Sequence, residues 1–149
     1  MIEKTFPEQG PLALSIAPAS AADRASVIAL WHAAELTRPW NDPGADFNTA
    51  LAHPPAAILL ARSDGELVGS VMVGFDGHRG WVYYLASDPA RRGQGIGRAL
   101  MAAAEDWLRT RGAPKIQLMV RSDNAAAQGF YAALGYEVQD VTTRGRRLD

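Results

Sequence analysis

The chain is 149 residues long, 21% charged, with a formal net charge of −1 and no cysteine. That length suits one domain with one core; the near-zero charge gives no support to nucleic-acid binding, and the absence of thiols excludes disulfides, thiolate metal sites and an acyl-cysteine intermediate. No apolar run nears the ~18–20 residues of a membrane span, and His32, His53 and His78 lack ligand spacing, so neither a membrane nor a metal is expected.

Met1 to Pro11 carries Glu3, Lys4 and Glu8 without an apolar stretch, which predicts a flexible leader of a cytoplasmic protein and not a signal peptide. Residues 12–149 then form a single domain. Leu12 to Ala17 reads as a first strand, and Ala21 to Leu36 as a helix with Ser20 at its N-cap and Ile28, Trp31 and Leu36 on one stripe. Two prolines and Asn41-Asp42 make Thr37 to Pro43 a structured loop; Asp46 to His53 is a second short helix. Ala57 to Arg62 and Glu66 to Phe75 are β-branched stretches joined by Ser63-Asp64-Gly65, a hairpin signal. A second tight connection, Asp76 to Gly80, leads into a strand from Trp81 to Ser87.

Ile96, Leu100, Ala103, Ala104, Trp107 and Leu108 then define one face of a helix that ends at Gly112. Lys115 to Arg121 alternates as a strand, Asn124 to Leu134 is a helix stopped by Gly135, and Tyr136 to Leu148 reads as a closing strand or pair of strands. The strand-turn-helix-strand unit around Gly93 to Gly97 is a right-handed crossover onto a parallel neighbour. The expected fold class is α+β (an α/β mixed sheet): mostly antiparallel, six to seven strands, about four helices and one parallel pair.

The segment Asp88-Pro-Ala-Arg-Arg-Gly-Gln-Gly-Ile-Gly-Arg-Ala-Leu100 carries the chemistry. Glycines at 93, 95 and 97 let the backbone curl at a helix mouth, and Arg91, Arg92 and Arg98 add positive charge, a cradle for a pyrophosphate. The dinucleotide fingerprint fails, because Leu100 stands where its third glycine is needed, and the nucleotide-triphosphate loop is absent. The pattern Arg/Gln-x-x-Gly-x-Gly/Ala is met by Arg92, Gly93, Gln94, Gly95, Ile96 and Gly97. The charges divide accordingly: from Arg79 onward eleven basic residues face seven acidic ones, whereas residues 1–60 hold three basic against six acidic.

With the strand Tyr84-Leu85-Ala86-Ser87 before this loop and Arg121-Ser-Asp-Asn124-Ala-Ala-Ala127 ahead of Phe130-Tyr131-Ala-Ala-Leu-Gly135-Tyr136 after it, the chain resembles the GCN5-related N-acetyltransferase (GNAT) superfamily over residues 12 to about 148. Leu36 to Asp46 and Gly74 to Tyr84 also look like the bacterial acetyltransferase subgroup labelled YpeA. The resemblance implies the GNAT fold, acetyl-CoA (CoA) as co-substrate, and a primary amine, small-molecule or peptide, as acceptor. Carried over by position, Leu85, Ala86 and Ser87 would hold the pantetheine arm through the backbone, one N–H serving as oxyanion donor. Arg92, Gly93, Gln94, Gly95, Ile96, Gly97 and Arg98 would hold the pyrophosphate, and Asn124 would contact the cofactor while capping its own helix. Tyr131 would lie near the sulfur and protonate the leaving thiolate.

The family's two base positions fall on Met119 and Trp81, neither of which accepts a proton. That leaves Glu35, Asp42, Asp46, Asp76 and His78, of which Asp76 and His78 are the preferred pair, with a water chain as substitute. An α-amine with pKa near ~8 is about one-tenth neutral at pH ~7, far more than a lysine, so a weak base set favours low-pKa amines. Trp40 and Asp42 in the proline-bounded loop are the expected acceptor wall. The missing glutamate leaves a second reading, a catalytically weak acetyl-CoA-binding or sensing module. The edge of the closing strand offers a route to a homodimer.

Overall fold

The computed structural model describes residues 13–149, so the expected leader and Leu12 lie outside the described residues. Two compact units are present, one ending at Leu118 and the other spanning Met119–Asp149.

The first unit holds β1 (Ser15–Pro18), α1 (Arg24–Ala33), α2 (Pro43–Ala52), β2 (Ala56–Ser63), β3 (Glu66–Phe75), β4 (Gly80–Ser87), α3 (Ile96–Thr110) and β5 (Ile116–Gln117). The strands form a five-stranded sheet in the order β1-β2-β3-β4-β5. The first three pairings are antiparallel and β4–β5 is parallel, the mixed arrangement that the crossover required.

Both faces of the sheet are covered. On one, Val27, Leu30 and Trp31 of α1 and Phe47 and Ala50 of α2 pack with Ile58 and Leu60. The intervening β2 residues, Leu59 and Ala61, are also buried, as expected of a strand covered on both sides. On the other face α3 buries Ile96, Leu100, Met101, Ala104 and Leu108, and glycines let it approach closely: a Cβ on Gly69 would stand 2.6 Å from Ile96 Cγ2 and 2.8 Å from Leu100 Cδ1.

Helix boundaries follow local chemistry. α2 begins earlier than expected because Pro43 occupies its first turn, where a missing N–H costs nothing, and the Asp42 side chain caps it by accepting from Ala45 N at 3.1 Å. α1 stops at Ala33, with Glu35 in the left-handed region at φ 61°. Leu36 N donates to Trp31 O and Glu35 N to His32 O, the pattern that closes a helix on a left-handed residue. No glycine announces this end, so the sequence reads through it to Leu36.

The second unit contains α4 (Ala125–Ala133), closed the same way at Gly135, φ 90°. The expected closing strand is not formed: among the described residues no strand follows Gln117, and the sheet has five strands instead of six to seven. Alternation fails there, since Asp140 stands in phase with Tyr136 and Val138 while Val141 is out of phase; Val138 and Val141 are 93% and 74% exposed. The strand edge that offered one route to a homodimer is therefore absent among the described residues. Among the described residues no helix is long and apolar enough to cross a membrane, and no group of three His, Asp or Glu is arranged to hold a metal ion.

Candidate functional site

The glycine-rich turn lies between β4 and α3. Asp88 closes a short 3₁₀ turn, Pro89–Arg91, by accepting from Ala90 N at 3.0 Å. Arg91 is committed to Glu66 at 2.6 Å, which ties the turn to the start of β3. Gly93 and Gly95 both adopt φ 80°, a conformation that costs an L-residue roughly 1–2 kcal/mol, and open space surrounds the position of a Cβ at each. Among the described residues, the N–H groups of 93–98 donate to no backbone carbonyl. Arg92 and Arg98 are exposed beside them with no ion pair among the described residues. The turn thus offers a run of free donors at the positive end of α3, as the glycine spacing indicated.

β4 is irregular where it approaches this turn. Its register on β3 passes from Met72↔Tyr83 to Ser70↔Ala86, so Tyr84 and Leu85 face a single residue, Val71. Tyr84 takes φ 52° to form this bulge. On its other edge β4 pairs with β5 only at Gly80 and Trp81. From Val82 to Ser87 that edge has no strand neighbour within the unit among the described residues, so Leu85, Ala86 and Ser87 lie on an open strand edge.

The bulge also places two tyrosines in one cavity. Tyr83 and Tyr84 would point to opposite faces of a regular strand; here both line a cavity of about 550 Å³ with Asn41, Asp46, Thr49, Ala50, His53, Ala56 and Met72. The Tyr84 ring stacks on Trp31, centroids 3.9 Å apart and planes within 13°, and its hydroxyl donates to Asp46 Oδ2 at 2.7 Å. Trp31 Nε1 donates to Ser70 Oγ at 2.9 Å, and Ser70 Oγ donates to Tyr84 O at 3.3 Å. Burial, together with the bond to Asp46 and its charge, pushes the Tyr84 phenol above its ordinary range. Burial and then the Asp76 charge do the same for Tyr83.

The expected acid–base and acceptor residues are distributed differently. Asp76 Oδ1 accepts from His78 N at 2.8 Å and Arg79 N at 2.7 Å, so the carboxylate shapes its own turn; those backbone donors, Arg79's first, hold it below the usual range. The His78 ring contacts the Arg79 guanidinium at 3.5 Å. Neither residue lines the cavity. Trp40 is 53% exposed and Asp42 caps α2, while their neighbours Asn41 and Asp46 supply the lining. The Tyr84–Asp46 pair was missed because only the bulge turns Tyr84 to that face, and the one sequence signal was the Tyr83-Tyr84 repeat.

In the second unit Asn124 caps α4, its Oδ1 accepting from Ala127 N at 3.0 Å. Tyr131 packs edge-on against Phe130 and Tyr136, centroids 5.0 and 6.0 Å away, and burial pushes its phenol up to about 12.

Residues 26–136 match the model of the Acetyltransferase (GNAT) family. An acetyltransferase of Pectobacterium atrosepticum is 52% identical over 126 residues, 85% of this chain and 89% of that protein. Another, from Sodalis glossinidius, is 50% identical over 127 residues with the same coverage. Among solved structures, the aminoglycoside N-acetyltransferase AAC(6')-Iy in complex with CoA superposes with a TM-score of 0.78 at 19% identity, covering 97% of this chain and 100% of that one. A ribosomal-protein-alanine N-acetyltransferase from Brucella melitensis gives 0.72 at 25% identity, covering 92% and 100%. The family model spans well over half of the sequence and the relatives are at least half identical to it over the matched stretch: the chain belongs to the acetyltransferase (GNAT) family.

Proposed function

We propose that this acetyltransferase moves the acetyl group of acetyl-CoA to a primary amine by direct attack within a ternary complex. The observation that carries this reading is the row of undonated N–H groups at 93–98, held open by left-handed Gly93 and Gly95 and flanked by Arg92 and Arg98. Backbone donors at a helix N-terminus beside uncommitted guanidinium groups suit a pyrophosphate. The open β4 edge immediately before the turn suits the amide-bearing pantetheine arm, which Leu85, Ala86 and Ser87 bind as a strand would. A β4 N–H polarises the thioester carbonyl as charge develops on its oxygen. Bound acetyl-CoA supplies the activated acyl group.

The cavity beside Tyr83 and Tyr84 takes the acceptor. It shares the β4 bulge with the open edge, so an amine seated there approaches the strand that carries the thioester. The amine attacks in its neutral form and its surplus proton leaves through water as the C–S bond breaks; the family resemblance assigns protonation of the departing sulfur to Tyr131 and a cofactor contact to Asn124. Proteins of similar fold include an aminoglycoside N-acetyltransferase and a ribosomal-protein-alanine N-acetyltransferase, which supports an amine acceptor, small or peptidic. The stretches Leu36 to Asp46 and Gly74 to Tyr84, with the bacterial sources of the relatives, support the YpeA subgroup as the finer placement.

Two measurements test the proposal. Calorimetry is expected to show acetyl-CoA binding in preference to NAD and ATP, and initial rates with any accepted amine are expected to give intersecting, sequential patterns. Parallel, ping-pong lines contradict direct attack, because they require an acyl-enzyme that this cysteine-free chain is ill-equipped to form.

A further inference from the structure

The cavity contains one carboxylate, and it is fixed in place. Asp46 Oδ2 accepts from the Tyr84 hydroxyl at 2.7 Å, while its Oδ1 accepts no hydrogen bond among the described residues. Tyr84 is itself immobilised: it stacks on Trp31, which is 0% exposed and anchored to Ser70, and its backbone holds a positive φ that a bulky residue adopts only when its surroundings impose it. An acidic oxygen pre-aimed in this way loses little side-chain freedom when a ligand arrives. Around it Met72, Ala50, Ala56 and the two tyrosine rings are apolar, and His53 is the one basic lining residue. The cavity volume falls within the roughly 300–1,000 Å³ usual for small-molecule sites.

We propose that Asp46, positioned by Tyr84, is the residue that selects the acceptor, and that the acceptor is a monocationic primary amine with an apolar body. This rests on the reading of the cavity as the acceptor site. The ammonium enters with one N–H donated to Asp46 Oδ1, and its apolar portion lies against Met72, Tyr83 and Tyr84. An acidic acceptor is repelled by the same carboxylate. A polyamine gains little over a monoamine inside the cavity, because Asp46 is the one carboxylate among its described lining residues; Asp76 and Asp42, whose charges reach Tyr83 and Tyr84, lie outside that lining. A neutral isostere forfeits a charge-assisted hydrogen bond, the contribution that separates good from poor ligands here.

The test uses the full chain saturated with acetyl-CoA, with phenethylamine, phenethyl alcohol and spermidine as probes read by ligand-observed NMR and calorimetry. Wild type is expected to bind phenethylamine at least about tenfold more tightly than phenethyl alcohol, a ratio in keeping with one charged hydrogen bond, and spermidine no more tightly than phenethylamine. Asp46→Asn, which keeps an acceptor for the Tyr84 hydroxyl, is expected to abolish the preference for the amine while leaving acetyl-CoA affinity unchanged. Tyr84→Phe is expected to reduce the preference by a smaller factor, the mark of a positioning residue. For any amine turned over, Asp46→Asn is expected to raise KM with little change in kcat. Binding of neither probe, equal binding of amine and alcohol, or an unchanged preference in Asp46→Asn overturns the inference. A parallel loss of acetyl-CoA affinity in Asp46→Asn overturns it too, because the residue is then structural. Failure of wild type to bind acetyl-CoA at all sinks the acetyl-transfer proposal itself, a separate result.

Discussion

Tyr84 shows how one residue couples the core to the proposed acceptor site. Its ring continues the α1 core through Trp31, its carbonyl receives the Ser70 hydroxyl, its φ of 52° makes the bulge, and its phenol holds Asp46. Ser70 is fully buried and satisfies both the Trp31 indole N–H and the Tyr84 carbonyl. Ser70→Ala leaves that indole unpaired, a loss of about 1–3 kcal/mol measurable by urea unfolding, and because it also frees the bulge it is expected to lower activity at full cofactor binding. The role proposed for Tyr131 lies in the reaction step instead: Tyr131→Phe is expected to lower kcat by about 10²-fold or more, the usual worth of a positioned acid, with acetyl-CoA affinity unchanged by calorimetry. Equal turnover in that variant removes the acid role. The glycine-rich turn was legible because glycine at a left-handed position has few substitutes. Asp46 was legible as a carboxylate but not as a partner of Tyr84, since that contact spans 38 residues and depends on a break in strand alternation.

At the scale of elements, α3 does two jobs, covering one face of the sheet and presenting its N-terminus to the glycine turn, and two glycines separate them. A Cβ on Gly69 meets Ile96, Leu100 and the Ala86 carbonyl at 2.6–3.0 Å. Gly69→Ala therefore pushes on the first turn of α3 and is expected to cost about 1–3 kcal/mol, visible as a lower Tm with weakened acetyl-CoA binding. Gly95→Ala meets no neighbouring atom within 4 Å but must hold φ 80°. Its expected signature is the reverse, a larger proportional loss of acetyl-CoA affinity than of Tm, and a Tm loss exceeding that of Gly69→Ala would refute this division. Helices were readable where a cap was explicit, as at Asn124, Gly112 and Gly135, and misread where the signal was ambiguous. Pro43 looked like a breaker but serves as a helix opener, and Glu35 ends α1 in a conformation usually left to glycine.

For the molecule as a whole, the order of elements through α4 followed from hydrophobic period and turn residues, while the last fourteen residues did not, because Asp140 and the arginines at 144, 146 and 147 interrupt the apolar alternation that a strand needs. The titrating groups combine into a single global prediction. Three of the four tyrosines, Tyr83, Tyr84 and Tyr131, have phenols pushed above their ordinary value, chiefly by burial, Tyr131 to about 12. A group whose folded pKa is raised stabilises the fold fully below its unfolded pKa of about 10 and loses that contribution as pH climbs toward the folded value. On the acid side Asp23, held down first by the Ser20 backbone N–H, and Asp76, held down by its own turn, are depressed. Their contribution is present above the unfolded value of about 3.9 and fades as pH falls through the lower folded values. Thermal unfolding from acid to strong alkali should therefore show a plateau bounded by a carboxylate limb below pH ~4 and a tyrosine limb above pH ~10. Tyr131→Phe should shrink the alkaline limb and leave the acid limb untouched. An alkaline limb of wild-type size in that variant would show that burial does not raise the Tyr131 phenol, and that the alkaline limb belongs to Tyr83 and Tyr84.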